Sequence, residues 1–276
     1  MNATHTTENT VSSSEPKSVF DRPRLEEFLD DTIPPIGHID TEVFFERVTE
    51  ETLKLVRHEY GPVVVDVASG MGMDSCNLAG RGFKVVSMEP QEDMMGYVRF
   101  HHKQNDRESW YVRGYAEELP LRDGSVDQVL CKGSIDHFLD PRVALAEMKR
   151  ILKPGGRFIV AAANYDSLSC YLSRIISWIN RKRYGPPPPG AHRPHHEIPS
   201  DHITRFNNVN FREMVEEFFA VRRVVGIGIL WGTPYSNVLW DNIDPKTARK
   251  ILNRMYNLAR HIPSFADMTV IDCVNL

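Results

Sequence analysis

What this chain lacks excludes several classes of protein. Its 276 residues contain no run close to the about 20 apolar residues that a membrane span needs, and no apolar stretch typical of a secretion signal. The four cysteines are scattered without Cys-x-x-Cys spacing, so we interpret them as free thiols in a reducing cytoplasm. The net charge of −4 argues against a nucleic acid as the main partner. What remains is one substantial α/β domain with additions.

The most informative segment is a small-residue turn that follows an apolar strand. Val63 to Val67 is rich in β-branched residues and predicts a buried strand, which leads directly into residues 68–72, Ala-Ser-Gly-Met-Gly. Small residues there let a ligand approach the backbone. A second strand, 85–88, ends in Glu89, where a carboxylate can accept hydrogen bonds from both hydroxyls of a ribose. The first hypothesis is therefore a nucleoside cofactor.

The turn also indicates which nucleoside cofactor fits. No Gly-Lys-Ser/Thr sequence follows Gly72, so a P-loop is excluded. Position 75 is Ser, where a dinucleotide fingerprint has its third glycine. Asp74 at the start of the following helix would oppose a pyrophosphate, because that end of a helix favours anions. A cofactor without phosphates fits better, and S-adenosylmethionine (SAM) is the common one.

Four segments in register resemble the class I SAM-dependent methyltransferases, most closely the broad group that includes the quinone-biosynthesis methyltransferases. They are residues 66–72, with Ala68 in place of the family's first glycine, 114–127, 134–141 and 150–163. The resemblance covers about residues 63–163. It implies SAM as cofactor and an α/β fold with a doubly wound, mostly parallel seven-stranded sheet, closed by a hairpin of strands six and seven with the last strand antiparallel.

The resemblance also implies a set of cofactor residues. Asp66 would help to place the methionine end of SAM, and Glu89 would bind the ribose diol. Tyr115 stands where the family usually has an Asp for the adenine amine, so three options stay open: Glu117 replaces it, backbone groups suffice, or Tyr115 packs against the ring. Met94 either flanks the adenine or packs in a helix core. The predicted set is Asp66, Ala68, Ser69, Gly70, Gly72, Glu89, Pro90, Met94, Tyr115, Ala116, Glu117 and Lys132.

The remaining chain divides by composition and periodicity. We expect a disordered Thr/Ser-rich tail over residues 1–18 and a helical segment over 19–61, before the SAM-binding core over 62–164. A helical lid insertion over 165–205 and a C-terminal completion of the sheet over 206–276 follow. In the last part, the pattern predicts a helix over 210–219, a strand over 221–229, a helix opened by Asp244-Pro245 and a strand over 268–274.

The insertion over 165–205 is the segment expected to select the acceptor. Its apolar residues repeat at helical spacing and give one apolar face: Leu168, Tyr171, Leu172, Ile175, Trp178 and Ile179. Six Lys/Arg against three acids make the segment basic. Three interpretations stay open: a lid that packs its apolar face on the core, an apolar acceptor pocket with a cationic rim that includes Trp178, or peripheral membrane contact through a basic amphipathic helix.

Histidines supply the candidates for the chemistry. Prolines around His192, His195 and His196 indicate a loop, so no metal site is predicted there, only loop or pocket-lining histidines. His202 and Phe206 stand where related methyltransferases carry a His and an aromatic residue near the acceptor. In this family the loop after strand four faces the methyl group, which makes His137 the predicted general base and Asp136 the alternative.

The predicted function is transfer of a methyl group from SAM to a small-molecule acceptor that is apolar or anionic. Methyl transfer from a sulfonium is a direct displacement, which requires alignment and the exclusion of water. Two alternatives stay open. One is a methyltransferase that acts on protein or RNA, and the other is a non-catalytic SAM-binding partner subunit.

Overall fold

The computed structural model describes residues 38–187, 194–199 and 201–276. The predicted disordered tail over 1–18, residues 19–37 of the predicted helical segment and His192 lie outside the described residues. Strands and helices alternate along the described chain, as the periodicity predicts. The strands are β1 Val63–Val67, β2 Lys84–Met88, β3 Trp110–Val112, β4 Val126–Lys132, β5 Leu152–Ala163, β6 Ala220–Ile227 and β7 Met268–Val274. The helices are α1 Ile39–Leu53, α2 Met73–Gly80, α3 Glu92–Gln104, α4 Pro141–Ile151, α5 Leu168–Tyr184, α6 Asn208–Glu216, α7 Ser236–Asp241 and α8 Pro245–Ala259.

The strands form a seven-stranded sheet in the order β3-β2-β1-β4-β5-β7-β6. Strand β7 runs antiparallel to both β5 and β6, and the pairs on the other side of β5 are parallel. The predicted fold class is confirmed. Strands β6 and β7 pair antiparallel as expected, and residues 228–267 between them include α7 and α8, of which α8 is the helix predicted at Asp244-Pro245.

Helix starts follow the capping residues in the sequence. The Asp140 side chain accepts hydrogen bonds from the backbone N–H groups of Arg142 and Val143, and Pro141 occupies the first turn of α4. At α8 the Asp244 side chain caps the helix start in the same way and Pro245 occupies the first turn, as predicted. Such caps satisfy N–H groups that have no partner inside the helix.

The core consists of two apolar layers, one on each face of the sheet. Successive residues of β5 alternate between them: Phe158 belongs to the layer that contains Leu145 of α4, and Ile159 to the layer that contains Phe44 of α1. This alternation is the two-residue period of a strand that is buried on both faces. The sheet is therefore covered on both sides, and its carboxyl edge remains for a site.

The apolar face of helix α5 does not point in the direction that the lid interpretation predicts. Its buried residues are the small ones, Ser169, Cys170 and Ser173, whereas Tyr171 and Trp178 are both 59% exposed. Small side chains allow this helix to approach the domain closely, so the apolar face does not pack on the core. Among the described residues, no helix combines the length and the apolar character needed to cross a bilayer.

Candidate functional site

The carboxyl ends of β1, β2 and β4 create the candidate site. These strands are parallel neighbours, so the loops that follow them meet at one edge of the sheet, where ligands bind in open α/β folds. The loops are residues 68–72 after β1, 89–91 after β2 and 133–140 after β4. Most of the predicted site residues belong to these loops or to the strand ends before them.

The turn after β1 has the backbone geometry of a ligand cradle. Ala68, Gly70 and Gly72 have positive φ angles of 53°, 54° and 74°. A Cβ on Gly72 would come within 2.8 Å of Val98 Cγ1, so this glycine lets the turn pack against α3. A Cβ on Gly70 would meet nothing within 4 Å, which leaves open space above the turn for a ligand. Ala68 accepts the left-handed conformation although it has a Cβ, at a cost of roughly 1–2 kcal/mol.

Glu89 joins the loop after β2 to this turn. Its side chain is buried, and its Oε2 accepts a hydrogen bond from the Gly70 N–H at 3.0 Å while Oε1 accepts one from the Gln91 N–H at 3.1 Å. Burial raises the pKa of Glu89, and these two N–H donors act in the opposite direction. Each carboxylate oxygen has further acceptor capacity, as binding to a ribose diol requires.

A second acidic cluster lies at the end of β1. Asp66 and Asp74 are both buried, and Lys132 Nζ is 2.5 Å from Asp74 Oδ2 and 3.1 Å from Thr49 Oγ1. Burial, and then the Asp74 carboxylate, raise the pKa of Asp66 well above its ordinary value. Two carboxyl groups beside one lysine offer more acceptor oxygens than the lysine engages, which suits a ligand that brings N–H donors. Asp74 was not among the site residues predicted from the sequence. An acid in the first helical turn after the glycines was the feature that could have indicated it.

Buried oxygens at this edge have no hydrogen-bond partner among the described residues. They are Asp66 Oδ2, Ser69 Oγ and Asp74 Oδ1. An unsatisfied buried acceptor costs roughly 1–3 kcal/mol, so a ligand that brings donors is bound favourably. A nucleoside with a ribose diol and an ammonium group supplies such donors, and the residues present therefore fit the predicted cofactor.

The loop after β3 is held by one carboxylate. Glu117 Oε1 accepts hydrogen bonds from the backbone N–H groups of Leu139 at 2.8 Å and Asp140 at 3.4 Å. Glu117 thus joins this loop to the loop after β4, and that oxygen is engaged. Ala116 is buried, while Tyr115 is 67% exposed. The choice among Glu117, backbone groups and the Tyr115 ring as the contact to the adenine stays a prediction.

The remaining predicted cofactor residues lie around Glu89. The Ser69 N–H donates to the Met88 carbonyl at 2.9 Å and ties the turn to β2. Met94 is half-buried, whereas the neighbouring Met95 is completely buried in the core. The Pro90 carbonyl accepts a hydrogen bond from a surface arginine. Met94 is therefore the one of the two methionines with surface left for a ligand.

The loop after β4 carries a buried carboxylate in contact with a distant histidine. Asp136 is 2% exposed, and its Oδ2 is 2.9 Å from His202 Nδ1. The backbone N–H groups of Ile203 and Thr204 donate to the Asp136 carbonyl, which fixes the two loops together. The Tyr165 hydroxyl is 2.8 Å from the same His202 nitrogen. The sequence pointed to Asp136 and His202 separately but did not predict this contact.

The carboxylate determines which nitrogen of His202 carries the proton. An unprotonated Nδ1 would place its lone pair against an Asp136 oxygen, so this contact favours the tautomer in which Nδ1–H donates to Asp136 and the lone pair lies on Nε2. Asp136 Oδ1 is buried and has no partner within the described chain. The arrangement is an oriented histidine beside a buried carboxylate, which is suited to accept a proton.

His137 occupies a more open position than His202. Its ring lies 4.2 Å from that of His202 between centroids, and its Nδ1 is 3.3 Å from Oδ2 of Asp201, which is largely exposed. Its Nε2 is 3.9 Å from Asp136 Oδ1, beyond hydrogen-bond distance. One ligand atom each of Asp136, His137 and His202 lies within 4.8 Å of the others, a spacing that a metal ion would also accept.

The Asp136–His202 pair lies close to the predicted cofactor residues at the end of β1. Burial raises the pKa of the Cys131 thiol in β4 to about 12, and the carboxylates of Asp66 and Asp136 add to this increase. Both acids are thus within electrostatic range of one side chain. Strands β1 and β4 are parallel neighbours, so the end of β1 with Asp66 and the loop after β4 with Asp136 lie at the same edge of the sheet.

The other predicted acceptor-side residues are separate from this pair. Phe206 is 2% exposed and packs in the core beside Phe211, and its acceptor-side role stays a prediction. Trp178 lies on the exposed face of α5, with Lys182 Nζ 4.1 Å from its ring. His195 packs against Trp231, and the Ser173 hydroxyl contacts His196 Nδ1. The histidines near residue 195 therefore have partners of their own.

Comparisons with known proteins agree with this geometry. Residues 65–160 match the family described as "Methyltransferase domain". A demethylmenaquinone methyltransferase of Clavibacter sepedonicus is 34% identical over 109 residues, which are 40% of this chain and 44% of that protein. A ubiquinone/menaquinone biosynthesis C-methyltransferase of Rubrivivax gelatinosus is 36% identical over 109 residues, which are 39% and 41%. The matched part thus spans less than half the length of these curated relatives.

The fold has close likenesses among solved structures. A SAM-dependent methyltransferase of Thermotoga maritima, described as a possible histamine N-methyltransferase, superposes with a TM-score of 0.57 at 19% identity. The superposition covers 94% of this chain and 98% of that one. At such low identity the likeness shows the fold alone, which here extends over nearly the whole chain.

Proposed function

We propose, from the premise that this chain belongs to the class I SAM-dependent methyltransferases, that it transfers a methyl group from SAM to a small-molecule acceptor. The family's cofactor is SAM, which supplies a methyl group on a positively charged sulfur. In this proposal Glu89 binds the ribose hydroxyls, and Asp66 and Asp74 accept hydrogen bonds from the ammonium group. Lys132 holds Asp74 in place through their ion pair.

The observation that carries the proposed mechanism is the buried contact of Asp136 with His202. We assign His202 Nε2 as the base that takes a proton from the acceptor, and Asp136 as the group that orients the ring and stabilises its protonated form. Such a positioned base typically contributes about 10²–10⁴ in rate. His137, the base predicted from the sequence, lacks a hydrogen bond to the buried carboxylate and becomes the second candidate.

The acceptor class is inferred from the relatives and from the base. The two curated relatives are named for methylation in quinone biosynthesis, which supports an apolar acceptor with an acidic C–H or O–H. A base is needed only when the nucleophile arrives protonated. A cytoplasmic location belongs to the same proposal and is supported by four unpaired cysteines.

Single-turnover and steady-state methyl transfer test the assignment of the base. His202→Ala is expected to lower kcat by about 10²–10⁴ with an unchanged Kd for SAM, because the base acts on the acceptor. Asp136→Asn should lower kcat as well, since a neutral amide stabilises the protonated ring less than the carboxylate does and can also present its NH₂ group to Nδ1. His137→Ala is the matched control and should change kcat less than about tenfold, a small effect on the same scale.

The opposite ranking would return the role of base to His137. Loss of turnover in His137→Ala together with native turnover in His202→Ala is the result that contradicts the assignment. The acceptor itself can be found with methyl-labelled SAM and a native extract. Label in a small molecule supports the proposal, whereas label on protein or RNA, or SAM binding without transfer, supports one of the two alternatives.

A further inference from the structure

Helix α5 presents an apolar stripe to the outside. Tyr171, Ile175, Trp178 and Ile179 are 59%, 39%, 59% and 47% exposed. They follow the i, i+4, i+7, i+8 spacing of one helix face. Single apolar residues scattered over a surface are common and need no explanation. A continuous apolar stripe indicates a surface that binds a partner or a membrane.

The stripe continues onto the neighbouring helix α7. The Asn180 side-chain amide donates to the Tyr235 hydroxyl at 3.1 Å, which joins the two elements. Tyr235, Val238 and Leu239 are 62%, 56% and 56% exposed. Two helices thus contribute to one outward apolar surface, which we call the α5–α7 face and define by these three residues and the four of the α5 stripe.

The charge of α5 indicates what this face contacts. Residues 168–184 contain four cations and no acid, although the whole chain has a net charge of −4. Arg174 pairs with Asp166, but Arg181, Lys182 and Arg183 have no carboxylate partner in the described part of the chain. All three are exposed at the end of the stripe. Their charge complements a surface that carries clustered negative charge.

We propose that the α5–α7 face docks on an anionic lipid bilayer and lies in its interface without crossing it. Tryptophan and tyrosine prefer the headgroup level of a bilayer, and this face carries Tyr171, Trp178 and Tyr235. Lys182 lies over the Trp178 ring, so a cation and an apolar anchor are presented together. An apolar stripe with a cationic end is typical of interfacial helices.

The inference is independent of the proposed methyl transfer, because it rests on exposure and charge outside the site. It nevertheless has a consequence for that function. The helix begins at residue 168, a few residues after Tyr165, whose hydroxyl contacts His202. Docking would therefore bring the site close to acceptors that are dissolved in lipid.

Vesicle flotation of the full chain tests the proposal. We expect binding to vesicles of phosphatidylcholine with phosphatidylglycerol and little binding to phosphatidylcholine alone. Replacing Arg181, Lys182 and Arg183 by Ser should weaken binding about 100-fold, since each cation near an anionic surface contributes about 1 kcal/mol. Trp178→Glu should weaken it at least about tenfold, because it removes an anchor and adds a repulsive charge.

Matched controls lie on α8, which also has exposed apolar and cationic residues. Leu258→Glu changes a side chain that is 57% exposed, and replacing Lys246, Lys250 and Arg254 by Ser removes the same number of charges. Both controls should bind vesicles like the unchanged chain. Thermal unfolding and SAM calorimetry of every variant should be unchanged, which separates a docking defect from a folding or cofactor defect.

Three results would overturn the proposal. The first is absence of binding by the unchanged chain to the anionic vesicles, and the second is equal weakening by the α8 controls. The third is a dimer in light scattering that Trp178→Glu dissociates, because that would assign the α5–α7 face to a second copy of the chain.

Discussion

Glu89→Gln is the most direct test of the cofactor site, because the two oxygens of this side chain have defined partners. Oε1 accepts from the Gln91 N–H and Oε2 from the Gly70 N–H. The amide of Gln has only one oxygen. Whichever way the amide is placed, its NH₂ group must face a backbone N–H donor. The substitution therefore breaks one of the two bonds and also removes the negative charge.

The size of the effect follows from these contacts. Leaving an N–H group without an acceptor costs roughly 1–3 kcal/mol when it is fully buried, and both of these bonds are part-buried, so the variant should lose at most about that much stability. A hydrogen bond to a charged group contributes about 1.5–3 kcal/mol, and losing one such bond to a ribose hydroxyl raises the Kd for SAM by about 10–150-fold. The affinity for S-adenosylhomocysteine should fall by the same factor, because the ribose is common to both molecules.

Two measurements check this prediction. Denaturant unfolding gives the change in stability, and isothermal titration calorimetry gives the Kd for both nucleosides. Glu118→Gln is the control, since this exposed neighbour in the loop after β3 makes the same chemical change away from the turn. A native Kd for SAM in Glu89→Gln would refute the role of Glu89 and with it the placement of the ribose.

Two further predictions concern pH and metal ions. Burial raises the pKa of Asp267 from 3.8 to about 7, against hydrogen bonds from the Ser169 hydroxyl and the Trp231 N–H. The folded state thus keeps a proton that the unfolded state releases, so this contribution to stability is complete below about pH 4 and is lost as the pH rises through about 7, by up to about 4 kcal/mol. Urea unfolding of Asp267→Asn should show a weaker loss of stability between about pH 5 and about pH 8, and an unchanged slope would contradict the assignment of this loss to Asp267. If the Asp136–His202 contact acts as a hydrogen-bonded base, chelation of divalent ions should leave turnover unchanged. A loss of turnover on chelation that is reversed by adding one particular metal ion would instead identify a metal site at these residues.

Local features of the sequence were sufficient to bring the predicted cofactor residues to one edge of the sheet. The strand before Asp66, the small residues up to Gly72 and the acid at Glu89 each follow from residue type and short spacing. Parallel strands bring such positions to one edge of the sheet without further information. The fold class followed from the same alternation of strands and helices, and the sheet order confirms it.

The proposed base could not be identified without contacts between distant segments of the chain. Asp136 and His202 are far apart in the chain, and a histidine in a loop has no periodic signal that indicates its partner. The sequence pointed to His137 because it lies in the loop that faces the methyl group in the family, but the buried hydrogen bond is made by His202. The same limit applies to Lys132, whose partner Thr49 belongs to α1.

The direction in which α5 faces was also decided by packing. Periodicity identified the apolar stripe correctly, but a period does not state whether a stripe faces the core or the outside. Small residues on the opposite side, Ser169, Cys170 and Ser173, fit closely against the domain and turn the stripe outward. The sequence by itself determined which elements form and which residues share a face, because those depend on neighbours along the chain. The tertiary structure alone decided which faces and which loops meet, because that depends on the shape of everything packed against them.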